Sequence, residues 1–284
     1  MNQRCLICVF SCERYGHLRL CLDFLLRSLG PDAAVMVWDD GSEDPRIREY
    51  LDQLTSGERI QAWIAGKRED GPTDLAARIG LQRKMAVDFF LRNFEGDYLF
   101  LLDDDVLVPY STIVEAIEDF EMLRGTSYGR VGSLTLFPVA SKGTEIIIAK
   151  KRFCFLSFSG EGHVLFHRET FELTGNHFGP HPNGFGDTQF AAQWKAGLRH
   201  YSRVEPLYEV QHLGFGPQGS VIHRTRPILP RWVASPYTRQ WRLRAIMVTS
   251  DWVPVTGFDM NRYVEIVQAV GGRDAPLKYL GIEE

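Results

Sequence analysis

The stretch YLFLLDDDVLVP, residues 98–109, indicates both the fold class and the position of a functional site. Its apolar run, residues 98–102, is typical of a buried strand in a parallel sheet, and Asp103, Asp104 and Asp105 follow it directly. In open α/β sheets, ligands bind just beyond the carboxyl ends of the strands. Three adjacent carboxylates repel one another there, and a bound divalent cation with oxygen ligands would offset the repulsion. For the triplet alone, a solvated acidic turn before the next helix is an equal alternative.

The composition provides enough apolar side chains for a sizeable core. Hydrophobic residues make up 44% of the 284 positions and aromatic residues 12%, which excludes wholesale disorder. The net charge of -4 argues against a surface covered by nucleic-acid-binding residues, although a local basic patch is compatible with it. The length allows one large domain or two small ones.

The five cysteines do not have the pattern of a disulfide framework. Their number is odd, and four of them fall within residues 5–21. Cys5 and Cys8 have the spacing of a zinc or redox pair, but both lie inside an apolar strand, so buried thiols are expected. Because the sequence also shows no signal peptide and no apolar run of ~20 residues, we expect a cytoplasmic protein.

Strands and helices alternate along the chain, and the first helix, predicted over residues 18–29, has a clear 3.6-residue apolar stripe. In the helix predicted over residues 75–93, Ile79, Met85 and Phe89 are expected to face the core. The alternation predicts a doubly wound α/β fold, with a mainly parallel central sheet flanked by helices and the site at one edge. Strands are predicted at residues 5–10, 34–38, 60–64, 98–102, 131–137, 146–148, 153–158, 160–166, 199–203 and 208–211, and further helices at 18–29, 45–54, 113–123, 167–174 and 187–196.

Four further motifs accompany the acid triplet. They are CLICVFSCERYGHL (5–18), DDGSED (39–44), ARIG (77–80), and SGEGHVLFHRETFELTG (159–175) followed by GFGDTQFAAQWKAGLRHY (184–201). In this order, and with the triplet as the DxD motif, they resemble the nucleotide-sugar glycosyltransferases of the GT-A fold, most of all the inverting family 2. The resemblance implies a GT-A catalytic domain over residues 1–216 and leaves residues 217–284 as a C-terminal extension.

The resemblance implies transfer of a sugar from a nucleotide diphosphate, with a UDP-sugar favoured, to an acceptor hydroxyl or amine with inversion. Mn²⁺ or Mg²⁺ would stabilise the charge that develops on the diphosphate leaving group. Asp105 is then the leading metal ligand, with Asp103 and His212 as further ligands. An ordinary hydrogen-bonded histidine is an equal alternative for His212.

The donor nucleotide is expected at the ends of the first strands. Asp40 would accept a hydrogen bond from the uracil N3–H, and Arg78 would reach the nucleotide or its phosphates. The alternatives are a simple Asx turn for Asp39 and Asp40 and an exposed helical arginine for Arg78. The residues expected to bind the nucleotide are Ser11, Arg14, Asp39, Asp40, Arg78, Asp103 and Asp104.

Asp187 is the candidate general base, because an inverting reaction needs a carboxylate that deprotonates the acceptor as it attacks the anomeric carbon. Asp187 is also explained as the cap of the helix that follows, and the two roles are compatible.

The C-terminal extension combines basic and aromatic residues. These side chains would stack on acceptor sugars, close over the donor, contact a nucleic-acid acceptor, or simply pack on the core. They are Arg224, Arg226, Arg231, Trp232, Arg239, Trp241 and Arg242.

Three other functions are compatible with parts of the pattern. A nucleotidyltransferase would share the fold and the metal, but residues 10–17 lack its Gly-rich loop. A dehalogenase-type phosphatase would carry its Asp-x-Asp motif near the N-terminus rather than at residues 103–105. A non-catalytic nucleotide- or nucleic-acid-binding module on the same fold is the third alternative.

Overall fold

The computed structural model describes residues 4–12, 15–66, 75–128, 130–136, 144–156, 162–180, 187–205, 208 and 210–212. These residues form strands and helices that alternate through the first half of the chain, as predicted. The elements are β1 (Cys5–Ser11), α1 (Tyr15–Arg27), β2 (Ala33–Asp39), α2 (Pro45–Ser56), β3 (Ala62–Ala65), α3 (Leu75–Asn93), β4 (Tyr98–Asp103), β5 (Val106–Leu107), α4 (Tyr110–Arg124), β6 (Arg130–Thr135), β7 (Glu145–Ile148), β8 (Lys151–Leu156), β9 (His163–His167), α5 (Arg168–Thr174), α6 (Asp187–Lys195), β10 (Leu198–Glu205) and β11 (Gln211–His212).

A nine-stranded sheet in the order β3-β2-β1-β4-β9-β6-β10-β8-β7 forms the centre of the molecule. The first four strands are parallel neighbours, and β6 and β10 form another parallel pair. β9 runs antiparallel to both β4 and β6, and β8 runs antiparallel to both β10 and β7. Seven of the nine strands therefore point the same way, which confirms the predicted mostly parallel α/β sheet and makes its second half mixed.

Both faces of the central strands β1, β2 and β4 are buried, as a doubly wound fold requires. Successive side chains of β1 enter different cores: Ile7 belongs to one cluster with residues of α1, α2 and α4, and Cys8 to another with residues of α3, α5 and α6. The strands therefore read as continuous apolar runs rather than as alternating patterns. This continuity is why their positions were predictable from sequence.

The bounds predicted for α3 are confirmed, but its predicted inner face is only partly correct. Met85 is 45% exposed and Ile79 is half-buried, whereas Phe89 is half-buried and packs against the core. The most buried face of the helix includes polar residues, so a search for apolar periodicity alone did not identify it. The buried side chains of this face include Gln82, Arg83, Ala86, Val87 and Phe90.

Two other predicted elements differ from the structure, and one element was not predicted. α4 begins at Tyr110 rather than at residue 113, because the Tyr110 N–H donates to Ser28 Oγ (2.9 Å) and its hydroxyl to Asp32 Oδ1 (2.7 Å). The strand predicted at residues 208–211 is confined to Gln211–His212, and its partner β5 was not predicted.

None of the five cysteines, all of which lie in the described residues, forms a disulfide. Four of them are buried and Cys12 is half-buried. Burial raises the pKa of Cys8 to about 12, so this thiol stays protonated and unreactive at neutral pH. In the part of the chain that the structure describes, no helix has the length and apolar content needed to cross a membrane.

Candidate active site

Three adjacent parallel strands bring polar side chains to one edge of the sheet. Ser11 at the end of β1 is in register with Asp39 of β2, and Phe10 is in register with Asp103 of β4. The chain stays close beyond the strands, because the Asp40 N–H donates to the Ser11 carbonyl (2.8 Å) and the Asp104 N–H to the Phe10 carbonyl (3.0 Å). The carboxyl ends of these strands are where an α/β sheet binds its ligand. We call this region, with Ser11, Asp39, Asp40 and Asp103–Asp105, the acid edge.

The three acids of the triplet have different environments. Asp104 is completely buried, and Ser11 Oγ donates to its Oδ2 at 3.1 Å. Asp105 is also buried, at 3% exposure, whereas the side chain of Asp103 is 30% exposed. Asp103 is therefore the acid of the triplet whose carboxylate is most open to a ligand in solution, and the triplet is not a simple solvated turn.

Helix α3 supplies two arginines to the acid edge. Arg78 Nε donates to Asp40 Oδ2 at 2.9 Å, and Arg83 Nη2 donates to Asp103 Oδ1 at 2.9 Å. The Arg78 side chain is 17% exposed and that of Arg83 only 2%. Arg78 is therefore not the exposed helical arginine of the alternative interpretation. α3 offsets two of the five formal negative charges at the edge.

Sequence reasoning missed Arg83, although a signal for it was present. Arg83 precedes Ala86, Val87 and Phe90 by three, four and seven residues, the spacing of one helix face. All three are buried. A charged residue that lies on the buried face of a helix is expected to have a specific partner, and the partner of Arg83 is Asp103.

Asp39 and Asp40 have different roles in the structure. Asp39 Oδ2 accepts from the Ser42 N–H at 2.8 Å and Oδ1 from Ser42 Oγ at 2.5 Å, which closes a turn at Gly41, whose φ is +66°. The Asx-turn alternative therefore describes Asp39. Asp40 instead pairs with Arg78 and also accepts from Cys12 Sγ at 3.7 Å.

Gly162 also restricts the position of Asp103. The Asp103 N–H donates to the Gly162 carbonyl at 2.8 Å, at the start of β9. A Cβ at position 162 would lie 2.2 Å from Asp103 Oδ2, which is closer than any real contact. Any side chain at this position would displace the Asp103 carboxylate.

The backbone of His212 lies beside the triplet. β11 pairs with β5 so that His212 faces Val106, the residue directly after Asp105. The chain that leads to β11 is fixed by Tyr208, whose hydroxyl donates to Asp119 Oδ2 on α4 at 2.7 Å. The structure therefore brings this distant segment to the acid edge, while the direction of the His212 side chain is not described.

Asp187 is the first residue of helix α6, which packs on the second half of the sheet. Gln193 Oε1 accepts from Ser133 Oγ of β6 at 2.8 Å, and Phe190 packs on His200 of β10 (4.9 Å between centroids). These contacts fix the helix that Asp187 begins. The side chain of Asp187 is not described. Arg14 and the basic and aromatic residues of the extension, Arg224 to Arg242, lie outside the described residues.

The donor set of the acid edge fits a hard divalent cation, because carboxylate oxygens are the ligands that Mg²⁺ and Mn²⁺ prefer. Among the described side chains, which do not include that of His212, no group of three or more His, Cys, Asp or Glu is arranged to hold a metal ion. Asp103 is engaged by Arg83 and Asp104 by Ser11. A cation would therefore have to bind through the remaining carboxylate oxygens.

A cavity of about 230 Å³ lies at the opposite end of the sheet, lined by residues that include Arg124, His167, Glu169 and Leu198. His167 pairs with Tyr98, the first residue of β4, so this cavity is separated from the acid edge by the full length of that strand. None of the residues predicted to bind the nucleotide or the metal, or to act as the base, lines this cavity.

No protein-family model matches the sequence, and no curated protein matches it. The structure is similar to S. aureus TarS 1–349 in complex with UDP-GlcNAc, with 14% identity and a TM-score of 0.49, over 72% of this chain and 57% of that one. A mannosyltransferase, PcManGT from Pyrobaculum calidifontis in complex with GDP-Man and Mn²⁺, matches with 14% identity and a TM-score of 0.48, over 99% of this chain and 84% of that one. A further S. aureus TarS structure is covered over only 36% of its length, with 13% identity and a TM-score of 0.47. Likeness at this level does not assign an activity, so the function is inferred from the acid edge.

Proposed function

We propose that this chain is a metal-dependent glycosyltransferase that moves a sugar from a nucleotide diphosphate, with a UDP-sugar favoured, to an acceptor hydroxyl or amine with inversion. The observation that carries the proposal is the convergence at one sheet edge of Ser11, the acids that end β2 and β4, and the two arginines of α3. This edge combines acceptors for ribose and base with cations for phosphate. The resemblance to inverting GT-A enzymes implies these roles for the same residues, apart from Arg83.

The nucleotide would bind across the ends of β1, β2 and β4. Asp40 would accept from a base N–H, with Arg78 fixing its carboxylate from behind (2.9 Å). Asp103, the acid open to solvent, would accept from a ribose hydroxyl. Asp39 would act indirectly, because its carboxylate already holds the turn at residues 39–42.

A bound Mn²⁺ or Mg²⁺ would offset the charge that develops on the diphosphate as the glycosidic bond breaks. Asp105 is the proposed leading ligand, with Asp103 and His212 as further ligands. The pairing of β11 with β5 supports the inclusion of His212, because it brings the backbone of that residue next to the triplet.

Asp187 would remove the proton from the acceptor as the acceptor oxygen or nitrogen bonds to the anomeric carbon and the bond to the diphosphate breaks. Its position at the first turn of α6 supports this role, because the positive end of a helix favours an ionised carboxylate there. Residues 217–284 would contribute to the acceptor side, for which we propose a glycan.

A thermal-shift screen of the full chain against UDP, GDP, CDP and dTDP, each with and without Mn²⁺, tests the proposal. A nucleotide at 100 times its dissociation constant should add roughly 2.7 kcal/mol of stability. We expect a shift that Mn²⁺ enlarges and that is strongest for UDP. Absence of a shift with every nucleotide would contradict the proposed site.

Two variants of the same strand region locate the binding. Asp105→Ala should abolish the Mn²⁺-dependent shift, whereas Asp97→Ala, at the exposed start of β4, should retain it. The melting temperature of each variant without ligand shows whether it is folded. Equal shifts in both folded variants would place the nucleotide elsewhere.

A further inference from the structure

Arg83 lies at the acid edge although none of the motifs contains it. Its guanidinium is 2% exposed, donates to Asp103 Oδ1 at 2.9 Å, and lies 5.6 Å from the centre of the Phe10 ring. Phe10 and Asp103 are register partners on β1 and β4, so Arg83 contacts both strands where they end. An arginine stays charged when it is buried, and this one is held permanently beside the place where a ligand would bind.

The position of Arg83 is fixed by close packing of its helix. A Cβ at Gly80, one turn earlier, would lie 2.1 Å from the carbonyl oxygen of Gly179, so α3 is in direct contact with that backbone. Asp103 is fixed as well, between Arg83 on Oδ1 and Gly162 next to Oδ2. The pair therefore presents a carboxylate of defined orientation whose charge is partly offset from the protein side.

We propose that Arg83 is a positioning residue that orients Asp103. Its charge also sets the relative affinities of the acid edge for the cation and for the nucleotide. This inference rests on the proposed function, since it concerns how that same site accepts its two ligands. The Arg83 charge repels a divalent cation and attracts a diphosphate. Its removal would therefore strengthen cation binding and weaken metal-free nucleotide binding.

The opposite signs of the two effects separate this role from a purely structural one. A loss of packing at the edge would weaken the binding of both ligands, because it would disorder the groups that hold them. Loss of one positive charge changes the two affinities in opposite directions. Conversely, Asp103→Asn removes a negative charge and should weaken cation binding.

The experiment measures Mn²⁺ binding without nucleotide, by electron paramagnetic resonance of the free ion, and UDP binding without metal, by calorimetry. The full chain is compared with Arg83→Met and Arg83→Lys. In Arg83→Met we expect Mn²⁺ to bind about three- to tenfold more tightly and UDP to bind about tenfold more weakly, as for loss of one nearby partly screened charge. Arg83→Lys, which keeps the charge, should lie close to wild type in both measurements.

Lys84→Met is the matched control, because Lys84 is the next residue of α3, is 40% exposed and pairs with Asp88 away from the edge. It should change neither affinity. If Arg83→Met does not fold, Arg83→Lys and Asp103→Asn carry the test, with only Asp103→Asn expected to lose Mn²⁺ affinity. Weakening of both ligands in Arg83→Met, or of neither, would overturn the inference. Failure of the wild-type chain to bind UDP would instead overturn the proposed function.

Discussion

Two groups of charged residues in this molecule differ in charge balance. The first, which we call the α4 cluster, joins Glu115 and Asp119 of α4 to Lys151 of β8, Arg203 of β10 and Tyr208. Arg203 Nη1 donates to Glu115 (2.6 Å) and Asp119 (2.9 Å), and Lys151 Nζ donates to Asp119 (2.7 Å). Two acids therefore meet two cations, and Arg203 and Asp119 are each only 1% exposed.

The acid edge has the opposite character. It collects five carboxylates from two strand ends, and the arginines of α3 pair with two of them. Asp103 remains 30% exposed, although its guanidinium partner is buried. The comparison indicates that a group of balanced charges joins elements of the fold, whereas a group with an excess of acids suits a ligand that brings positive charge.

The largest expected effect comes from breaking the α4 cluster. Asp119→Ala leaves the buried Arg203 with one acid partner fewer and removes the acceptor of the Tyr208 hydroxyl. We expect a loss of about 3–5 kcal/mol in the free energy of unfolding, as for other broken buried ion pairs. Urea denaturation measures it, with Glu118→Ala, an exposed acid of the same helix, as the control. A loss below about 1 kcal/mol would show that this cluster does not join the elements.

The next prediction concerns crowding at the acid edge. Gly162→Ala places a Cβ against Asp103 Oδ2, so the carboxylate must move. We expect a loss of about 1–3 kcal/mol in stability and a weaker Mn²⁺-dependent nucleotide shift. Gly179→Ala is the control, since a Cβ there meets nothing within 4 Å. Nucleotide binding that is unchanged in Gly162→Ala would remove Asp103 from the site.

The pH dependence of stability tests whether a buried polar group, His200, stays neutral in the folded chain. Burial lowers the pKa of His200 to about 3, and its Nδ1 is hydrogen-bonded with Ser133 Oγ (2.6 Å). Below pH 6.5 the unfolded chain binds a proton at this residue and the folded chain does not, so stability falls as the pH falls from 6.5 toward 3. Between pH 6.5 and 5.5 this histidine should lower the free energy of unfolding by about 1 kcal/mol.

The measurement is urea denaturation at both pH values for the wild type and for His200→Gln. The variant should show a smaller pH dependence by about the same amount, whatever its stability at neutral pH. An identical pH dependence in the two proteins would contradict a buried neutral imidazole at this position.

The smallest effect on stability is expected for a change that keeps the charge in the pair of Arg78 with Asp40. Arg78→Lys retains a cation beside Asp40, whose side chain is only 7% exposed, but loses the planar guanidinium. We expect a change of less than about 1 kcal/mol in stability and a clear loss of nucleotide affinity, measured by calorimetry with UDP and Mn²⁺. A loss of stability comparable to that of Asp119→Ala, with binding intact, would assign this pair to the structural group.

The strand-end acids were predictable from sequence because the signal is local. An apolar run that stops at a carboxylate identifies Asp39, Asp40 and the triplet, and the alternation of strands and helices brings them to one edge. The turn held by Asp39 was likewise predictable as an alternative, since Asp, Gly and Ser within four positions favour it.

The residues that support the acids were not predictable. Arg83 was missed because a search for apolar periodicity excludes a charged residue from the buried face. The contact of Tyr208 with Asp119 spans 89 positions, and the pairing of His212 with Val106 depends on strands of two residues. Neither leaves a periodic pattern. The partners of functional groups depend on long-range packing, which the sequence specifies only through the whole fold.

The most direct test of the central claim is release of nucleoside diphosphate from a nucleotide sugar, followed by ³¹P NMR with Mn²⁺. We predict that the wild-type chain slowly hydrolyses a UDP-sugar to UDP, with water bonding to the anomeric carbon in place of the acceptor. Asp105→Ala should not release UDP, and Asp187→Asn should bind the donor but release UDP far more slowly than the wild type. Release that persists undiminished in a folded Asp105→Ala would contradict the assignment of the acid edge as the active site.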